Sequence, residues 1–182
     1  MKLLVVVDMQ TDFVDGALGT AEATAIVPAV CSKICAFDGK ILTTMDTHYE
    51  DYLATQEGRQ LPVVHCVYGE NGWKFNEDVR ESLVIRNDVW KDSFQKETFG
   101  SVDLAEYIRD LTLNGVDIDE IVLIGLCTDI CVISNALLLK AFLPEIKITV
   151  DAKCCAGVTP ESHENALKAM KMCQINIENW EG

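Results

Sequence analysis

The segment IVLIGLCTDICV, residues 121–132, decides the fold, because it joins a buried strand to a helix. Residues 121–124 are apolar at every position, which is typical of a strand that is covered on both faces. Thr128 or Asp129 can cap the helix that follows. Cys131 then lies in the first helical turn, where free N–H groups and the helix dipole favour a thiolate. The alternative interpretation is a buried, unreactive cysteine.

The rest of the chain repeats this alternation of strand and helix. Strands alternating with helices predict an α/β fold with three layers, in which helices cover both faces of a parallel sheet. The whole chain, residues 1–182, is expected to form one domain. We predict strands at 2–8, 40–44, 84–90, 121–124, 145–150 and 174–179, and helices at 21–37, 76–83, 101–114, 130–139 and 159–173.

Charge and composition exclude several classes of function. The chain has 29 acidic against 15 basic residues and a formal net charge of −14, which argues against nucleic acid or a membrane surface as partner. No apolar run approaches the ~20 residues of a membrane span, and the first residues do not form a secretion signal. The eight cysteines then predict free thiols and a cytoplasmic location. Cys31/Cys35 and Cys154/Cys155 leave open the alternative of a non-catalytic redox- or metal-responsive binding protein.

Reactive side chains follow three of the predicted strands. Asp8 ends the first strand, Asp46 and His48 follow the second, and Cys131 follows a later core strand. Sites in open α/β sheets lie beyond the carboxyl ends of the strands, so we expect a shared crevice. A cysteine that attacks a carbonyl group needs a base, a cation and oxyanion donors. Asp8 can be the base, a lysine the cation, and the N–H groups of Cys127 and Cys131 the donors.

A second set of side chains suits a divalent metal ion. Asp46 and His48 are two residues apart, and Glu57 lies between them and His65. One or two carboxylates with two histidines suit Zn²⁺, Fe²⁺ or Mn²⁺. The alternative is a set of loop residues that form surface hydrogen bonds.

Five stretches resemble, in the same order, the motifs of the isochorismatase-like cysteine hydrolases, above all of their nicotinamidase branch. They are VVVDMQTDF (5–13), TMDTH (44–48), LPVVHC (61–66), KETFGSVDL (96–104) and GLCTDICV (125–132). Each stretch alone is a weak signal, whereas together they are specific and span most of the chain. The resemblance implies the isochorismatase-like hydrolase fold and a cis peptide bond between Leu126 and Cys127.

The resemblance also implies a catalytic triad of Asp8, a lysine and the nucleophile Cys131. Lys91 and Lys96 both fit the family pattern, in which a lysine is followed after two residues by an aromatic residue. We prefer Lys96, because it leads directly into Phe99 and the next helix.

A divalent metal that orients the substrate is a further implication of the resemblance, with Zn²⁺ expected first and Fe²⁺ or Mn²⁺ as alternatives. Asp46, His48 and His65 match its ligands. The second histidine that the family commonly has after this motif is absent. Some members use a glutamate there, and Glu57 is suitably placed to be that ligand.

For the substrate, the resemblance implies a small-molecule amide. Phe13 matches one of two aromatic residues that enclose the substrate ring, whereas Leu61 or Pro62 stands where the second would be. Phe13 and Leu61 are therefore the expected contacts. The implied reaction is the hydrolysis of nicotinamide to nicotinate and ammonia; alternatives are a carbamoyl or ureido amide hydrolase and an isochorismatase-type hydrolase. A homo-oligomer is expected.

Overall fold

A parallel β-sheet lies at the centre of the protein. The computed structural model describes residues 1–86 and 92–182. Within these residues, six strands form one sheet in the order β3-β2-β1-β4-β5-β6, and every neighbouring pair is parallel. The strands are β1 (Lys2–Val7), β2 (Lys40–Asp46), β3 (Ser93–Lys96), β4 (Glu120–Leu126), β5 (Lys147–Ala156) and β6 (Asn176–Glu178).

Helices cover both faces of this sheet, which confirms the predicted three-layer α/β fold. On one face lie α2 (Ala21–Ala36) and α4 (Glu77–Ile85), and on the other lie α5 (Val102–Leu113), α6 (Ile133–Phe142) and α7 (Pro160–Met172). Two short helices, α1 (Thr11–Val14) and α3 (Gln56–Gln60), lie in the loops after β1 and β2. Among the described helices, none has both the length and the hydropathy that a membrane crossing requires.

The central strand β1 shows why the strand sequences are apolar throughout. Leu3, Val5 and Val7 belong to the core under α5, α6 and α7, whereas Leu4 and Val6 belong to the core under α2 and α4. All five side chains are fully buried. Because successive side chains point to opposite faces, a strand covered on both sides needs an apolar residue at every position.

The strand predicted at residues 84–90 is wrong for its first residues, 84–86. Val84 and Ile85 form the last turn of α4 and are largely exposed, and residues 87–91 lie outside the described part of the chain. A strand that was not predicted, β3, follows at Ser93–Lys96, and Lys96 is its last residue. The prediction failed here because a few apolar residues at the end of a helix have the same pattern as a short strand.

The strand β5 also differs from its predicted range, since it continues past Asp151 to Ala156. Asp151 stays within the strand because Lys33 Nζ lies 2.8 Å from its carboxylate.

All eight cysteines are free thiols, as the composition predicts.

The strands β1 and β4 approach closely at Gly125. Its φ angle is +115°, and a Cβ atom built there would collide with the carbonyl group of Val7. Glycine is therefore needed both for the backbone conformation and for the space. This contact places the turn after β4 beside the end of β1, where the site begins.

We predict that Gly125→Ala lowers the free energy of unfolding by about 3 kcal/mol or more, because it adds a clash to a strained backbone angle. Gly115→Ala is the control, since Gly115 has a φ of +86° and open space around it. That variant should lose only about 1–2 kcal/mol. Urea denaturation of both proteins tests the difference, and equal losses would contradict the close contact.

Candidate active site

Four neighbouring strands bring the reactive side chains together at one edge of the sheet. Lys96 ends β3, Asp46 ends β2, Asp8 follows β1 and Cys131 follows β4. These strands are adjacent in the sheet, so their carboxyl ends meet at one place. All four residues are at most 5% exposed. The shared crevice predicted from the strand ends is confirmed.

Lys96 lies between the carboxylates and the thiol. Its Nζ atom is 2.7 Å from Asp8 Oδ2, 3.2 Å from Asp46 Oδ1 and 3.5 Å from Cys131 Sγ. The other oxygen of Asp8 accepts a hydrogen bond of 2.6 Å from the hydroxyl group of Thr44. Asp8 itself has a φ of +46°, a left-handed conformation that Asp tolerates better than most residues. The preferred lysine, Lys96, is thus in contact with both proposed partners, whereas Lys91 lies outside the described residues.

Burial governs the ionisation of this cluster. It raises the pKa of Asp8, and Lys96 only partly offsets the effect. Burial and the charge of Asp8 also raise the pKa of the Cys131 thiol well above its usual value. For Lys96, burial lowers the pKa, but the charges of Asp8, Cys131 and Asp46 outweigh it and raise the pKa overall. The raised pKa of Lys96 favours the ammonium ion, and the raised pKa of Cys131 opposes the thiolate that the helix terminus favours.

The turn that carries Cys131 is a π-helical turn, Thr128–Val132, before α6. The carbonyl group of Cys127 accepts hydrogen bonds from the N–H groups of Ile130 (3.1 Å) and Val132 (3.0 Å). The peptide bond between Leu126 and Cys127 is cis, as the family resemblance implies.

Neither predicted capping residue caps this turn. Thr128 Oγ1 lies 2.8 Å from His163 Nδ1, and the Asp129 carboxylate accepts a hydrogen bond from the N–H group of Val158. Both side chains are thus used to attach the turn to the loop before α7 and to α7 itself.

Three side chains that could bind a metal ion lie directly beside Asp8, Lys96 and Cys131. Candidate ligand atoms of Asp46, His48 and His65 all lie within 4.8 Å of one another. Asp46 Oδ2 is 2.9 Å from His48 Nε2 and 3.5 Å from His65 Nε2. His65 Nδ1 lies 2.7 Å from the carbonyl group of Val63, which leaves its Nε2 for the site. A buried carboxylate and two imidazole nitrogens suit a divalent cation such as Zn²⁺.

The charge of Asp46 is maintained despite its burial. Burial raises the pKa of a carboxyl group, but hydrogen bonds from His48 and His65 and the charge of Lys96 outweigh it, so the pKa of Asp46 is lowered. Glu57 lies farther out, with Oε1 3.6 Å from His48 Nε2. Within the described residues, Glu57 is not a member of the Asp46, His48 and His65 group, and its role as a ligand stays a prediction.

A largely apolar cavity of about 340 Å³ is lined both by Cys131 and by the candidate metal ligands Asp46 and His65. Phe13 and Leu61, the predicted substrate contacts, both line it, and the rings of Phe13 and His65 are 5.4 Å apart. Cys127, Cys131, Asp46 and Glu57 also line it, together with residues that sequence reasoning did not single out: Leu18, Thr20, Ala23, Gln60, Phe99, Ile130 and Val158.

Sequence reasoning also missed the residue that holds Asp46. The side chain of Gln10 is fully buried, accepts a hydrogen bond from the N–H group of Asp46 and donates one to its carbonyl group, both 2.8 Å long. Its amide also donates to the carbonyl group of Trp73. The signal was present, because a glutamine two residues after a buried strand needs polar partners.

Comparison with known proteins agrees with this arrangement. The sequence profile described as the Isochorismatase domain matches residues 2–181. The chain belongs to the isochorismatase family. Among curated proteins, no sequence matches it. The family resemblance read from the five motifs is thereby confirmed.

Solved structures of this family share the fold. The nicotinamidase/pyrazinamidase PncA of Bacillus subtilis is 25% identical, with a TM-score of 0.81 over 97% of this chain and 98% of that one. The pyrazinamidase of Pyrococcus horikoshii, in complex with zinc, is 29% identical, with a TM-score of 0.77 over 98% and 99%. The yeast nicotinamidase Pnc1p, at 18% identity and a TM-score of 0.78 over 97% and 99%, shows the fold alone. The expected isochorismatase-like hydrolase fold is confirmed.

We predict that His65→Ala weakens binding of a divalent metal at least about tenfold, because it removes one of three buried ligand atoms. His163→Ala is the control, since His163 lies outside the group of candidate ligands. Metal content after dialysis against Zn²⁺, measured by mass spectrometry, tests the prediction. Unchanged metal content in His65→Ala would remove His65 from the site.

Proposed function

We propose that this protein is an amide hydrolase that uses Cys131 as nucleophile, Asp8 as base and Lys96 as the cation between them. The observation that carries the proposal is the position of Lys96, whose Nζ atom is within 3.5 Å of both the carboxylate and the thiol. A buried acid, cation and thiol at the end of a cavity are the groups that covalent amide hydrolysis requires.

The first half of the reaction forms a thioester. Asp8 accepts the proton of the Cys131 thiol, and the sulfur attacks the carbonyl carbon of the amide. Asp8 then returns this proton to the nitrogen of the leaving group, the C–N bond breaks, and ammonia departs. The raised pKa of Asp8 suits this role, because a more basic carboxylate takes up the proton more readily.

The second half releases the acid. Asp8 accepts a proton from a water molecule, whose oxygen attacks the thioester carbon. The C–S bond breaks, and the departing sulfur takes the proton from Asp8, which restores the thiol. The N–H groups of Cys127 and Cys131 are the proposed donors to the oxyanion in both halves, because both residues line the cavity.

Lys96 stabilises the charged state between these steps. When the proton moves to Asp8, the negative charge moves to the sulfur, and the ammonium group is close enough to both to balance it. Lys96 stays protonated throughout, because the carboxylates around it raise its pKa.

Asp46, His48 and His65 are the proposed ligands of a divalent metal, with Zn²⁺ the first candidate and Glu57 as a further ligand. A bound cation supplies a positive centre that polarises or orients a basic atom of the substrate. The residues fit this group, since their buried donor atoms converge on one point next to the cavity. Zinc is also present in the related pyrazinamidase of Pyrococcus horikoshii.

Nicotinamide is the proposed substrate, with nicotinate and ammonia as products. Support comes from the names of the related structures and from Phe13, whose ring lines the cavity beside His65. Leu61 lines the cavity where the nicotinamidase pattern has a second aromatic residue. This difference favours keeping carbamoyl and ureido amides as the second candidate class.

We predict that the purified protein releases ammonia from nicotinamide and that a chelator suppresses the release. Cys131→Ala should lower kcat at least about 10³-fold, because the nucleophile is lost. Cys155→Ala is the matched control, since Cys155 is a buried thiol outside the cavity lining. Equal residual activity in both variants would refute covalent catalysis at Cys131, whereas release from ureido amides alone would identify the other substrate class.

We further predict that Lys96→Met lowers kcat at least about 10²-fold, because it leaves Asp8 and the forming thiolate without their cation. Lys91→Met, the other lysine that fits the family pattern, should have less than a threefold effect. Steady-state rates of both variants decide between them, and the reverse order would exchange the two roles.

A further inference from the structure

Asn135 is a fully buried polar residue among the apolar residues of α6. Its side-chain amide donates hydrogen bonds to the carbonyl groups of Cys131 (2.8 Å) and Phe99 (3.3 Å). Its side-chain oxygen accepts one of 2.9 Å from the N–H group of Ser101. Both donors and the acceptor of the amide are thus satisfied by backbone groups.

These hydrogen bonds join two segments that carry catalytic groups. One is the turn of Cys131, and the other is the Phe99–Ser101 segment, which starts three residues after Lys96. Ser101 also caps α5, because its hydroxyl group accepts from the N–H group of Leu104. Asn135 therefore fixes the position of Cys131 relative to the segment that follows Lys96.

The two segments are packed too closely for either to shift freely. A Cβ atom at Gly100 would lie 3.3 Å from the carbonyl oxygen of Ser134. Asparagine is a poor residue for a helix interior, and a buried amide stabilises a protein only if it is fully paired. Its use here, with hydrogen bonds to two separate backbone segments, points to a role in alignment.

We propose that Asn135 is a positioning residue, which holds the Cys131 turn against the Lys96–Ser101 segment and so sets the distance between Cys131 Sγ and Lys96 Nζ. Asn135 is not among the residues that line the cavity, so it acts through Cys131 and Phe99. The proposal rests on the proposed function only in that Cys131 is the nucleophile.

Two variants separate alignment from packing. Asn135→Asp keeps the shape and the acceptor for Ser101 but removes both donors, and Asn135→Ser removes the bridge with a side chain too small to clash. Asn114→Asp is the matched control, because Asn114 makes the same kind of hydrogen bond to a carbonyl four residues earlier, that of Asp110, on the exposed end of α5.

The readout is the rate of alkylation of each cysteine by iodoacetamide across a range of pH, resolved by peptide mass spectrometry. Both Asn135 variants should change the rate at Cys131 about fivefold or more and shift its pH midpoint, because the environment of the sulfur changes. The exposed Cys35 and Cys173 serve as internal references and should react as in the wild type. Asn114→Asp should leave all three rates unchanged.

Kinetics supply a second readout. We expect kcat of the Asn135 variants to fall about tenfold or more, with a smaller change in KM, because the nucleophile is misaligned while the apolar lining remains. Alkylation of Cys131 within twofold of wild type in folded variants would overturn the proposal. So would loss of cooperative unfolding in both variants, which would make Asn135 a folding residue. If the wild type hydrolyses no amide, the alkylation rates still test Asn135, and only the proposed substrate fails.

Discussion

A buried ammonium group between two carboxylates is the interaction on which the site depends. Lys96 is 5% exposed and contacts Asp8 and Asp46, so its desolvation is offset by two opposite charges. Counted as ions, two carboxylates and one ammonium leave one negative charge in excess. Buried charge of this kind is paired or binds a metal in folded proteins. The adjacent side chains of His48 and His65 lie within reach of Asp46, so the proposed divalent cation would offset this charge.

The parallel sheet brings the partners of this interaction together. Lys96, Asp46, Asp8 and Cys131 come from four different strands, and they meet because those strands are neighbours with their ends at one edge. No local segment could bring them together. The glycine contact between β1 and β4 is part of the same construction, since it lets the Cys131 turn reach the end of β1.

Sequence patterns were sufficient for the layers of the fold and for the convergence of polar side chains at the strand ends. Apolar runs such as Val5–Val7 identify buried strands, and residues at their ends identify the chemistry. The pattern failed at Val84 and Ile85, which close α4 instead of starting a strand. It also could not give the raised pKa of Cys131, because burial and the charge of Asp8 arise only in the folded chain. Gln10 and Asn135 were missed because their partners are backbone groups, so the only sequence signal is a polar residue in a buried segment.

The cavity wall and the reactive cluster are built from different parts of the chain. Leu61, Phe99 and Val158 lie on connecting segments, whereas the groups that carry the chemistry lie at strand ends or in the turn before α6. Loops tolerate substitution and insertion far better than a buried sheet does. Under the proposed function, substitutions in the cavity wall would alter which amide enters, while the buried groups at the strand ends stay in place.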